Sequence, residues 1–140
     1  MTFRKIVMEV IPHQEHRYDT LGDYWQDGDT LHFRTSDLGD WRYNFSVLLH
    51  EFVEYAVLLH KGVPEADVLA FDLAVPSDSP FADDPGFDPK APYHKEHVLA
   101  DTLERLLSIF LDFEVSDPWK AADKLPEWKP REFPPRIKNP

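Results

Sequence analysis

Apolar residues follow two periods along this chain, and the change between them separates strands from helices. Residues 3–11, FRKIVMEVI, are rich in β-branched and apolar types and stop at Pro12, the pattern of a strand. After a polar stretch at 12–23, Leu31, Phe33 and Thr35 alternate with His32 and Arg34, as in a half-buried strand. Asp27-Gly28, just before them, is the turn signal of a hairpin. From Asp40 to Lys61 the spacing becomes helical, with Asp40 placed to cap the first turn and Gly62 to end the last. Pro64 fits the first turn of a short helix, PEADVLAF, and a second long helix is predicted from Tyr93 to Phe113.

The remaining chain is irregular. Residues 72–92 form an acidic, proline-rich loop longer than a simple connection, of the kind used as a lid or binding loop. Residues 118–140 are again proline-rich and carry Trp119 and Trp128, which predicts an extended arm that docks its aromatic rings. The expected fold is α+β: a small antiparallel sheet, made of the N-terminal strand plus the hairpin, packed on two long helices. Residues 1–117 form a single domain and 118–140 the arm.

Both long helices carry polar stripes. Around LLHEFVEYAVLLH, residues 48–60, the side chains of Phe45, Leu48, Phe52, Tyr55 and Leu59 share a broad face suited to packing on a sheet. His50, Glu51 and Glu54 lie on the other side, with Val47, Val57 and Leu58 among them, so that surface should be covered as well. On the second helix His94, His97, Asp101, Glu104 and Ser108 share a face opposite Leu99, Leu103, Leu106 and Phe110. His50 and Glu54 are four residues apart, as are His97 and Asp101, so one helical turn lets both side chains of each pair reach a common ion. Buried charge is costly unless paired or bound to metal. The expectation is a divalent-metal site between the helices, built on His50, Glu54 and His97; a buried polar network without metal is the competing reading.

Composition narrows the chemistry. Without cysteine there is no disulfide and no thiolate ligand, so any metal must be held by His, Asp and Glu. The net charge of −11 argues against nucleic acid as a partner. Residues 118–140 are net +3, which leaves −14 on the first 117, so the arm is expected to pack on its own domain or on a neighbouring copy in a homo-oligomer. No apolar run of about 18 residues exists, and the start MTFRKIVMEV lacks signal-peptide features, so a cytoplasmic protein without a membrane partner is expected. His13, His16 and His32 have no acidic pattern around them and read as non-functional. Asp83, Asp84 and Asp88 match no EF-hand spacing and, like Glu104, read as solvated.

HEFVE resembles a variant of the HExxH helix of zincin metallopeptidases, with Glu54 in place of the second histidine. The order of strand, motif helix and later ligand-bearing helix is also similar, and His97-x-x-x-Asp101 has the spacing of Glu-x-x-x-Asp in the thermolysin-like branch. The resemblance spans about residues 30–110. It implies zinc, or manganese or iron, held by His50, Glu54 and His97, with Glu51 as the general base that activates water. Asp101 would then orient a ligand or bind directly, and His94 would be an alternative ligand or a transition-state donor. The implied activity is hydrolysis of a peptide, with the 72–92 loop as lid and the 30–35 strand as a docking edge. The run HEFVE, then FD, then PGFDPKAPYHKEH is also similar to small proteins of bacteria and their phages. Two alternatives stand beside this. One is a non-catalytic, metal-stapled interaction domain that oligomerises through the arm. The other is an all-helical nucleotide pyrophosphohydrolase of the MazG type, whose ExxE motif Glu51-x-x-Glu54 matches and whose ExxD motif Asp101-x-x-Glu104 reverses.

Overall fold

Gly28, at φ 59°, turns the chain between β2 (Gly22–Asp27) and β3 (Thr30–Ser36), where a left-handed residue is needed for a tight hairpin. The computed structural model describes residues 2–130; positions 131–140 of the expected arm lie outside the described residues. The other elements are β1 (Lys5–Ile11), α1 (Trp41–Lys61), α2 (Glu65–Ala74), α3 (His94–Phe110) and α4 (Asp117–Ala122). Short 3-10 turns occupy His13–Glu15 and Pro85–Phe87.

The architecture is mixed, a three-strand sheet packed against helices, as expected. The sheet is not wholly antiparallel, however. Its order is β1-β3-β2, and β1 runs parallel to β3 from Lys5↔Thr30 to Ile11↔Ser36. The reason lies in the loop of residues 12–21, long enough to pass over the end of β3 and deliver β2 to the far edge, which leaves β3 to return between them. Apolar alternation is blind to strand direction. As the central strand, β3 has both edges paired, so it cannot be the peptide-docking edge expected from the sequence. The sheet also separates this chain from an all-helical pyrophosphohydrolase fold.

Helix α1 ends where its caps place it: Asp40 accepts from Arg42 N at 2.9 Å, and Gly62 adopts φ 73°. Its broad apolar face lies on β2 and β3. Tyr55 stacks on Tyr24 at 4.5 Å, Phe33 meets Phe52 at 5.5 Å, and Leu58 is wholly enclosed. Each such side chain contributes about 1.5–3 kcal/mol by leaving water. α2 begins at Glu65 after Pro64 and runs to Ala74, three residues into the segment read as loop, adding Val68 to the core.

α3 lies antiparallel to α1. Lys61 pairs with Glu96 at one end, while at the other Arg42 donates to Leu111 O at 3.0 Å and Asp112 O at 3.2 Å, capping the last carbonyls of α3. The helix presents its polar stripe inward: His97, Ala100 and Ser108 are buried, whereas Leu106 is 51% and Phe110 81% exposed. The α1–α3 seam is therefore built around polar groups. The described part of the arm packs on its own chain, with Trp128 Nε1 donating to His16 O at 3.3 Å and Gln14 Nε2 donating to Glu127 O.

Candidate metal centre

Three ligand atoms converge in the α1–α3 seam. His50 Nε2 and Glu54 Oε2, one turn apart on α1, are 3.1 Å from each other; His97 Nδ1 of α3 is 3.0 Å from the first and 2.9 Å from the second. All three residues are buried, and among the described residues they form the one cluster of His, Asp and Glu fitted to hold a metal ion. Ligands about 2.05 Å from a tetrahedral ion stand roughly 3.3 Å apart, so an outward relaxation of a few tenths of an ångström would seat one.

The outer contacts fix how the rings are used. Glu104 Oε1 lies 3.0 Å from His50 Nδ1, and Asp84 Oδ1 lies 2.9 Å from His97 Nε2. A carboxylate beside one ring nitrogen favours the proton there and leaves the other nitrogen a lone pair. In that neutral form His50 Nε2 and His97 Nδ1 would join Glu54 Oε2 as three lone-pair atoms within 3.1 Å of one another, a set suited to a cation; protonated rings would instead donate to Glu54. Tyr24 Oη donates to Glu54 Oε1 at 2.9 Å and so leaves Oε2 as the atom turned to the site. Gly86 packs against His97: a β-carbon there would come within 2.6 Å of ring Cδ2, so only glycine lets the ring sit where it does.

The electrostatics draw positive charge to Glu54, as protons on the two imidazoles when no ion is bound. Burial alone would raise the Glu54 carboxyl, but its contacts with His50 and His97 outweigh that and bring it to about 2. Burial opposes charge on His97, yet Asp84 and Glu54 prevail and raise it to about 9; Glu104 and Glu54 likewise raise His50. Each shift favours the form that pairs negative carboxylate with positive charge in the triad.

The triad borders a cavity of about 500 Å³ whose walls include Tyr18, Tyr24, Tyr93, Trp119 and Trp128. Among the described residues, ten of its lining residues are Asp or Glu and none is Lys or Arg. Glu51 is among them. Its side chain rests on the backbone at Gly22, where a β-carbon would lie 2.7 Å from Cγ and Cδ. Burial, then the Glu54 charge, push its carboxyl well above the usual range. Asp72, which accepts from Tyr93 Oη, is raised to about 6 by burial.

Two sequence candidates stand apart from the triad. Asp101 lines the cavity but pairs with Arg105 at 2.9 Å, and His94 Nδ1 bonds Gly86 O at 2.9 Å, holding the 3-10 turn that carries Gly86. Glu104, Asp84 and Tyr24 were not singled out by the sequence as site residues. Glu104 had a signal, since it shares the His97 face; Asp84 and Tyr24 are brought in only by loop and sheet. His13 Nδ1 and His16 Nε2 both contact Ser36 Oγ at 2.9 Å, but Ser36 is fully buried, so this group pins the loop of residues 12–21 rather than exposing a nucleophile. Among the described residues no helix is long and apolar enough to cross a membrane. No family model, no curated protein and no solved structure matches this chain.

Proposed function

We propose that this protein is a divalent-metal-dependent hydrolase acting on substrates that carry positive charge, with basic peptides the best fit. The observation that carries the reading is the triangle of His50 Nε2, His97 Nδ1 and Glu54 Oε2, three potential ligand atoms in mutual contact at the edge of an open cavity. Two imidazoles and one carboxylate are a ligand set suited to catalytic zinc, with manganese and iron as alternatives. A bound ion supplies Lewis acidity and lowers the pKa of water toward neutrality. The chain's own residues divide the remaining work. Glu54 is held by Tyr24, while the carboxylates of Glu104 and Asp84 lie beside the outer nitrogens of the two imidazoles. In this reading Glu51, next to a ligand in sequence and among the residues lining the cavity, takes the proton from water and passes it to the leaving group once a bound cation draws its raised carboxyl into the ionised form. The acidic lining, ten carboxylates among the described residues, attracts a cationic substrate and disfavours a phosphorylated one. The order of strand, HEFVE helix and ligand-bearing helix supports a zincin-like reading, and Asp84 with Gly86 gives the 72–92 loop a lid-like place beside His97.

The near-complete burial of the triad, His50 and His97 at 8% and Glu54 at 4% exposure, supports a second reading, a metal staple without catalysis. One experiment separates them. Metal analysis of the purified protein should find one divalent ion per chain, absent from His50→Ala. Glu51→Gln should keep the ion and lose hydrolysis of basic-residue peptides by about a hundredfold or more. Failure to take up zinc, manganese or iron sinks both readings; bound metal with no hydrolysis in the wild type leaves the staple.

A further inference from the structure

Among the described residues nothing covers the apolar row of β1. Its register with β3 places Ile6, Met8 and Val10 opposite Leu31, Phe33 and Thr35, on the side of the sheet that the helices occupy. The β3 residues are buried, but α1 lies over β3 and β2, and Ile6, Met8 and Val10 remain 53%, 48% and 45% exposed. β1 is also an edge strand, with no strand paired to its outer side among the described residues. Edge strands that stay single are blunted by proline, a bulge or an inward-facing charge. Lys5–Ile11 has none of these on its helix-side face.

We propose that β1 is the surface on which two copies of this chain associate, its edge pairing antiparallel with the same edge of the second copy to make one six-strand sheet. Charge selects both the partner and the register. With the two-fold axis through Val7, Lys5 stands opposite the second copy's Glu9, twice by symmetry, and Ile6 stands opposite Met8, also twice. An axis through Met8 instead sets Lys5 against Ile11 and Val7 against Glu9, leaving no charge pair. An axis between residues is not available, because a two-fold that pairs the same edge antiparallel keeps the helices of both copies on one side and sets like-facing residues opposite each other. Only the Val7 axis joins apolar row to apolar row and basic to acidic. Glu9 is already 3.3 Å from Arg34 on the outer face of the sheet, so the second copy's Lys5 would extend an existing ion pair.

The test is sedimentation velocity on the full chain over a range of concentrations, with folding of each variant followed by circular dichroism. The wild type should sediment as a dimer and Met8→Lys as a monomer. Lys5→Glu should weaken the dimer about tenfold, because like charges then meet twice, and Lys5→Glu with Glu9→Lys should restore most of the loss. The charge exchange keeps the proposal testable even if Met8→Lys folds poorly. Phe110→Lys, on the exposed side of α3, should leave the dimer intact. A monomeric wild type, a double variant no tighter than Lys5→Glu alone, or dissociation by Phe110→Lys but not by Met8→Lys would overturn it.

Discussion

His50 and His97, 47 residues apart in sequence, aim ring nitrogens at each other across 3.0 Å, and Glu54 Oε2 closes the triangle. Protonated imidazoles can both donate to Glu54 but leave their two ring nitrogens facing each other as donors, whereas a metal ion satisfies all three atoms. Because the ligands come from both α1 and α3, binding should stabilise the folded chain. Ion at about 100 times its Kd should add about 2.7 kcal/mol. Thermal unfolding with and without zinc measures this, a chelator should reverse it, and His97→Ala should abolish it. An unchanged melting temperature at saturating ion would count against the site.

Helices α1, α2 and α3 and the triad were legible because they rest on local periodicity; α4, where the sequence predicted the start of an extended arm, was not. His50 and Glu54 share an α1 face, and the inward-facing stripe of α3 could be read from His97, Asp101 and Glu104. What was not legible depends on long-range placement. Asp101 lies on the correct face, yet Arg105 one turn later engages it locally. Asp84 reaches His97 only because the Pro85–Phe87 turn folds back onto α3. The parallel pairing of β1 follows from a loop that crosses the end of β3, and no pattern within a strand encodes that.

Removing the charge that orients a ligand should weaken the site without removing a ligand atom. Glu104 approaches His50 Nδ1 at 3.0 Å, and Glu104→Gln keeps size and shape while losing the carboxylate. Metal affinity should fall roughly 10–100-fold, as is usual for residues that orient a metal-bound imidazole. Competition titration against a chromophoric chelator reads this out, and an unchanged affinity would show that the contact does not orient the ring.

A single methyl group at position 86 should act almost like loss of His97. In Gly86→Ala the new β-carbon would sit within 2.6 Å of the His97 ring, so either the ring or the Pro85–Phe87 turn must move. Overpacking of this kind costs about 1–3 kcal/mol. Metal affinity should drop at least tenfold if the ring yields. Chemical denaturation together with metal titration gives both numbers; full affinity with full stability would mean that the turn gives way freely.

His16 should make the protein sensitive to mild acid. It is 4% exposed, and burial, reinforced by the nearby charges of His13, Arg34 and Arg17, lowers it from 6.5 to about 4. Below pH 6.5 the unfolded chain takes up a proton at this ring and the folded chain does not, so stability falls as pH drops from 6.5 to about 4 and levels off beyond. Above pH 6.5 both states are neutral at His16 and the residue adds no slope. At about 1.4 kcal/mol per pH unit, the loss by pH 5 is roughly 2 kcal/mol. Carboxyl groups titrate in the same range; Asp72, raised to about 6, acts in the opposite direction because its folded form holds a proton more readily than its unfolded form. Comparison with a variant isolates the histidine. Urea unfolding at pH 7 and pH 5 should show His16→Gln losing less stability on acidification than the wild type, by about 1–2 kcal/mol; equal losses in the two proteins would place the acid sensitivity elsewhere.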